Sequence, residues 1–397
     1  MQIYRRTLSS KATTTHDGYK SIGSFHSDNI EELIRIPNNQ YISPELPFDT
    51  SKEYSILQHI SSKHSSTIPF ANTHLYNKQY TNLDRTFAFL NHGAFGLALD
   101  VGLQRANSWR TFLEEQPLRY FDRYLLNHLA HSTRSLVDFV TDTNDEEYNS
   151  TLREGAALLQ NVTSGMNAVI GGHVRTKKNG FVFYYDIGYG STKKIAQTYH
   201  GDNAISIPFE KEYLPQLRTI NSSFNRNEND WNERTAEIYI RALDETVHTI
   251  IKGRGRAAVH DSLLILDHIT SNTAIHTPIN AIAKYAKEEY GMMVAVDGAH
   301  SLLSLPLDMS TILSSSTTTK NEGYADIYLT NCHKWMSSPR GVAAMYCANE
   351  EIRDTLLSQP AVVSHGVNDG YLSRFIWDGC RKVRVCIVSS CECVCSI

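Results

Sequence analysis

Between residues 180 and 347 the chain repeats one alternation: a short run apolar on both faces, then a longer segment apolar on one face. The runs are GFVFYYD (180–186), NAISIPF (203–209), DSLLILD (261–267), MMVAVD (292–297), ADIYLT (325–330) and GVAAMYC (341–347). Their length and their lack of polar alternation predict strands buried on both sides. Between them, WNERTAEIYIRALDETV (231–247) and PINAIAKYAKEEY (278–290) space apolar residues three and four apart, the period of a helix lying on a sheet. LDVGLQRANSWRTFLEE and LLNHLAHSTRSLVDFV carry the same period earlier in the chain. Strands separated by helices predict an α/β domain, doubly wound around a mostly parallel sheet.

Outside that core the pattern fades. Residues 1–80 are rich in Ser, Thr, Asn and His with weak periodicity. They are expected to form an N-terminal extension, partly disordered, ahead of a large domain over 81–350. STILSSSTTTKNEG (310–323) reads as a mobile surface loop. The opening MQIYRRTLSSKATTTHDGYK lacks the apolar stretch of a secretory signal; it reads as a tail, with a mitochondrial or plastid transit peptide as the alternative.

Composition narrows the class. A formal net charge of −4 with 20% charged residues offers no electrostatic reason for nucleic acid or a membrane surface as partner. No apolar run approaches the roughly 20 residues that span a bilayer. Of seven cysteines, Cys332 and Cys347 lie in the body, while Cys380, Cys386, Cys391, Cys393 and Cys395 crowd the last 18 residues. So few cysteines in the body fit a reducing, cytoplasmic compartment.

In open α/β sheets, ligands sit beyond the carboxyl ends of strands. There the sequence places Asp267-His268-Ile269-Thr270-Ser271, then Asp297-Gly298-Ala299-His300, then Asn331-Cys332-His333-Lys334, and Asp186 with Tyr189 close behind. Lys334 stands between His333 and Trp335 where an apolar strand empties into a turn, a costly place for an ammonium. A desolvated lysine can form a Schiff base with a carbonyl. With a carboxylate at a pyridine nitrogen and a phosphate cradle at a helix start, the set matches what pyridoxal phosphate needs. QNVTSGMNAVIGG (160–172), with Thr163 and Ser164 opening a helical pattern, is the candidate cradle. Each assignment has a plainer alternative: Lys334 as a rim lysine, Thr163 and Ser164 as an N-cap pair, His268 and Asp267 as strand-to-loop ties. The histidines lack the tight spacing of a zinc motif, and no Walker or G-x-G-x-x-G signature is present.

DGAH followed one strand later by CHKW resembles the class V aminotransferase family of pyridoxal phosphate enzymes. LNHGAFG (90–96), NVTSGMN (161–167) and LDHITSNTA (266–274) are similar to its branch of isopenicillin N epimerase-like proteins and cysteine-derivative lyases. The resemblance implies pyridoxal phosphate transferase fold type I, a homodimer, a small amino-acid substrate and pyridoxal 5'-phosphate as cofactor. By motif match Lys334 would be the Schiff-base lysine and Asp297 the pyridinium partner. Thr163, the Val162 amide, His333 and Asn331 would hold phosphate. His300 and Ser271 would lie near the ring hydroxyl, and Tyr189 or His92 near ring and substrate. A lyase or desulfhydrase-type reaction, or epimerisation, is implied first and transamination second; a truncated, inactive relative is the alternative from another class. SHGVNDGYLSRFIWDG (364–379) looks like the lead-in to the family's small C-terminal domain, expected over 351–379. The Cys-rich 380–397 departs from that pattern, where the family carries a substrate-binding arginine, and reads as a frameshifted or misspliced end.

Overall fold

The computed structural model of the chain describes residues 30–50 and 80–353, apart from 85, 87, 178, 223–227, 315–322 and 350–351. Its centre is a single 7-stranded sheet in the order β1-β7-β6-β5-β4-β2-β3. The strands are β1 (Ala156–Leu159), β2 (Val182–Tyr185), β3 (Ala204–Ile207), β4 (Leu263–Asp267), β5 (Met293–Asp297), β6 (Ile327–Asn331) and β7 (Ala343–Cys347). Strands β3, β2, β4, β5 and β6 run parallel, and β7 is antiparallel to both β6 and β1. The reversal at β7 has a simple cause. Residues 332–342 join β6 to β7 as a loop without a helix, shorter than the crossover of about a dozen or more residues that a parallel neighbour needs.

Two cores explain the doubly apolar runs, except at the edge strand β3, where Ser206 is exposed and only Ile207 is buried. Along β2, Val182 and Tyr184 face one core and Phe183 and Tyr185 the other. The first core lies under the helices Val162–Thr176 and Gly190–His200, through Met166, Val169, Ile170 and Ala196. The opposite face is covered by the helices Leu125–Phe139, Glu228–Arg254 and Ile279–Tyr290. Glu228–Arg254 is longer at both ends than the 231–247 period predicts.

Strand β1 was not anticipated. It follows the helix Glu146–Gly155 without a break, so LREGAALL reads as one continuous helical segment. Gly155 makes the switch feasible: a Cβ there would lie 2.5 Å from the Cys347 carbonyl oxygen, so only glycine lets β7 come so near.

Part of the expected N-terminal extension is a fixed strap. Ile34, in the short helix Ile30–Arg35, is fully buried, and two buried arginines grip the end of that helix. Arg134 donates to the carbonyls of Leu33 and Ile34 at 3.1 and 2.8 Å, and Arg153 to Ile34 at 3.2 Å. Both also donate to Asn38 Oδ1. Residues 1–29 and 51–79 lie outside the described residues. The 310–323 stretch opens with a helical turn, Met309–Ile312, capped by Asp308, and Leu313 bridges to Ala325; the rest, 315–322, lies outside the described residues. So do the expected small domain and cysteine tail, save Ile352 and Arg353.

Candidate active site

The turn between β6 and β7 carries Lys334 and is tied at several points. The N–H groups of Cys332 and His333 both donate to the Val342 carbonyl, at 3.0 and 3.3 Å, and Ser337 N–H reaches Lys334 O at 3.2 Å. Ser337 adopts a left-handed φ of 56°, which costs a non-glycine residue energy. Its surroundings hold it there: Tyr80 donates to its hydroxyl at 3.1 Å and Leu99 N–H to its carbonyl at 3.0 Å. The NHGAFG stretch folds as one helical turn, His92–Phe95, against the same loop. At Gly96, with φ 70°, a Cβ would fall 1.5 Å from the His333 carbonyl oxygen. That glycine is therefore a condition for the lysine's backbone path.

Lys334 Nζ lies 3.1 Å from His300 Nε2. Burial lowers the lysine pKa, with the carboxylates of Asp297 and Asp267 opposing. Burial, helped by Lys334, pushes the His300 imidazole down to about 4. His300 is therefore a neutral imidazole at pH 7, able to accept a hydrogen bond from the lysine amine through Nε2. Tyr189, 39% exposed, forms the wall of the cleft, with its ring centroid 6.0 Å from Lys334 Nζ.

Asp297 is buried at the end of β5. Its carboxylate accepts from Ala299 N–H at 3.1 Å and from the Thr192 hydroxyl at 3.3 Å. Burial raises its pKa, opposed by the Ala299 N–H, Lys334 and Thr192. The turn after it rests on a buried polar chain. His268 Nδ1 pairs with the Tyr328 hydroxyl at 2.8 Å, that hydroxyl meets Ser301, and Ser301 and Thr330 donate to Gly298 O at 2.6 and 2.8 Å. Burial depresses His268 to about 3, so it is a neutral imidazole in this chain. A Cβ at Gly298 would stand 2.5 Å from the Tyr328 hydroxyl, which accounts for the glycine in DGAH.

The helix Val162–Thr176 points its N-terminus at this end of the sheet. Its cap is Asn161, which accepts from Ser164 N–H at 2.8 Å, so Thr163 and Ser164 are not the N-cap pair. The Val162 N–H donates to Asn331 Oδ1 at 3.1 Å, pairing two of the expected phosphate ligands with one another. Thr163 Oγ1 makes no hydrogen bond among the described residues. His333 Nδ1 engages Val342 O at 2.8 Å, which orients the ring, and burial lowers its pKa. Ser271 lies half-buried in the turn after β4 and its hydroxyl has no hydrogen bond among the described residues. His92 sits 6.0 Å from the Trp335 ring, and its buried Nδ1 has no hydrogen-bond partner among the described residues. The structure thus gathers Lys334, His300, Asp297 and Tyr189, with His92 beyond Trp335. Sequence reasoning missed Thr192, Ser301 and Tyr328, which no local motif marks.

A family model described as aminotransferase class-V matches residues 235–365, a span that holds Asp297, His300, Asn331, His333 and Lys334. Over that span, less than half of its length, the chain is similar to that family. Members of the family are pyridoxal phosphate-dependent. The L-cysteine desulfhydrase of Arabidopsis thaliana is 25% identical over 305 residues, covering 74% of this chain and 57% of the relative. A probable chloroplastic L-cysteine desulfhydrase of the same plant is 23% identical over 314 residues, covering 78% and 58%. The chain thus spans less than three-fifths of the length of these relatives. A cystine C–S lyase solved with cysteine persulfide shares the fold, with TM-score 0.54 and 19% identity over 80% of this chain and 72% of that one. The fold is α/β, consistent with fold type I. No helix among the described residues is long and apolar enough to cross a membrane.

Proposed function

We propose that the chain is a pyridoxal phosphate-dependent lyase that breaks the C–S bond of L-cysteine or a cysteine derivative. The observation that carries it is a half-buried lysine amine, lowered in pKa, set between a neutral imidazole and a buried carboxylate at the strand ends. The residues fit the cofactor: Lys334 would attach it, Asp297 would face its ring nitrogen, and Tyr189 would flank its ring. Thr163, with its uncommitted hydroxyl at a helix N-terminus, and His333 would meet its phosphate. When bound, the group supplies an electron sink for the pair left at Cα after proton loss.

With that group bound, Lys334 Nζ would be the base placed to take the α-proton of the substrate. His300 Nε2, neutral at pH 7 and 3.1 Å away, holds Nζ in place for that transfer. Thr192 and Ala299 N–H keep Asp297 oriented and ionised. The electron pair of the Cβ–S bond leaves with sulfur, so the overall change is cysteine and water to pyruvate, ammonia and sulfide. Under this reading the 81–350 region is the cofactor domain and residues from 351 begin the small domain. We also propose a homodimer, supported by the exposed Leu90 and Phe95 on the loop beside Lys334.

The test is direct. Protein mixed with pyridoxal phosphate develops a visible absorbance band that shifts on adding L-cysteine, with sulfide, pyruvate and ammonia appearing together. Lys334→Ala lowers sulfide release on the order of a thousandfold and yields no borohydride-trapped adduct at that position. A trapped adduct elsewhere would sink the assignment.

A further inference from the structure

Two carboxylates end neighbouring strands, yet the chemistry at Lys334 uses one. Asp267 and Asp297 are register partners in β4 and β5, so their side chains leave the same face of the sheet. Two anions so placed in a poorly solvated site repel strongly, and the pair keeps fewer than two charges. Hydrogen-bond donors decide which one stays ionised. Asp297 accepts from Ala299 N–H and Thr192. Among the described residues, Asp267 accepts from Tyr189 N–H, at 3.0 Å.

A neutral acid needs an acceptor for its own O–H, and a cleft beside Asp267 provides one. Gly188, Tyr189, Thr270, Thr277 and Tyr239 line it. Tyr239 and Thr277 are 2% and 1% exposed; their hydroxyls lie near one another, and neither makes a well-formed hydrogen bond among the described residues. The interior measures about 10 Å3, close to the room one water needs. The titratable groups facing Asp267 are Asp297, Lys193, Lys334 and Tyr239. Burial and the Asp297 charge together hold its pKa well above the carboxylate range.

We propose that Asp267 is a positioning residue that works as a neutral acid. One oxygen holds the Tyr189 N–H and so sets the aromatic wall relative to Lys334. The protonated oxygen donates, through a single water in the cleft, toward the Tyr239 and Thr277 hydroxyls. Asp297 is left as the charged member of the pair. The role rests on the cofactor reading only where Tyr189 meets a ligand; the protonation state does not.

The deciding measurement is infrared difference spectroscopy at neutral pH on protein without cofactor, wild type against Asp267→Asn. A protonated-carboxyl stretch, sensitive to deuterium exchange, is expected in the wild type and absent from the variant. Its absence from the wild type overturns the proposal, whatever the enzyme assays show. A variant that does not fold leaves the wild-type band, and its loss on raising the pH, to decide. For positioning, pyridoxal phosphate titration of Asp267→Asn and Asp267→Ala separates the roles. The amide keeps a neutral acceptor for Tyr189 N–H and should bind about tenfold tighter than alanine. Equal weakness in both variants would mean that the charge itself is needed, and the proposal fails.

Discussion

At the scale of single residues, two glycines and one tyrosine carry more of the site than their chemistry implies. Gly96 has a left-handed φ and no space for a Cβ beside His333 O. Gly96→Ala should therefore cost more than about 3 kcal/mol in denaturant unfolding and displace Lys334. Gly298→Ala meets Tyr328 at both Cζ and the hydroxyl, each 2.5 Å away. A loss of about 2–3 kcal/mol is expected, and Tyr328→Phe should not rescue it, because the ring carbon stays. Rescue would show that the hydroxyl alone is the obstacle. Lys334 and Asp297 were legible as strand-end groups. Tyr328 and Ser301 were not, because Tyr328 meets His268 from another strand and Ser301 from another turn, and only the sheet register brings them together.

At the scale of elements, the lysine turn is held by parts far away in sequence. Leu99, Tyr80 and Gly96 brace it from one side, and Val342 closes it from the other. The Ile30–Arg35 strap depends on Arg134 and Arg153 in the same manner. Arg153→Leu removes one of the two arginine donors at the Ile34 carbonyl and at Asn38, leaving Arg134 as the other. It should cost about 1–3 kcal/mol by chemical denaturation, and proteolytic release of the segment before residue 50 should precede global unfolding. An unchanged midpoint would show that the strap adds nothing. Six of the strands were readable from doubly apolar runs. β1 was not, because four apolar residues straight after a helix look like more helix.

At the scale of the molecule, burial sets the pH dependence of stability. Burial, helped by His200 and opposed by the hydrogen bond to the Asp261 carbonyl, pushes His173 down to about 4; burial takes His268 to about 3 and His300 to about 4. Each is neutral when folded and takes a proton on unfolding once the pH drops below its ordinary 6.5. Stability from these groups is whole above about pH 6.5 and is lost as the pH falls toward 4. The raised acids Asp267, Asp297 and Asp326 act in the opposite sense, losing stability as the pH rises from the ordinary carboxylate value. Thermal melts should show His173→Gln flattening the acid limb, by on the order of 2–3 kcal/mol at pH 4. Parallel wild-type and variant curves would mean that His173 is charged when folded.

Hydrophobic periodicity by itself determined the layered α/β plan, since a doubly buried strand must be apolar at every position wherever it lies in the sheet. The residue types at the strand ends likewise raised the expectation of an amine–carboxylate site, because so varied a set of polar groups on neighbouring strand ends is uncommon. Which groups meet was decided only in three dimensions. Strand order puts Asp267 beside Asp297, the reversed β7 bends Lys334 back toward His300, and a carbonyl in the lysine loop excludes any side chain at position 96. Contacts between segments hundreds of residues apart leave no local period to read, and burial, which sets each pKa, exists only once the chain has closed around the group.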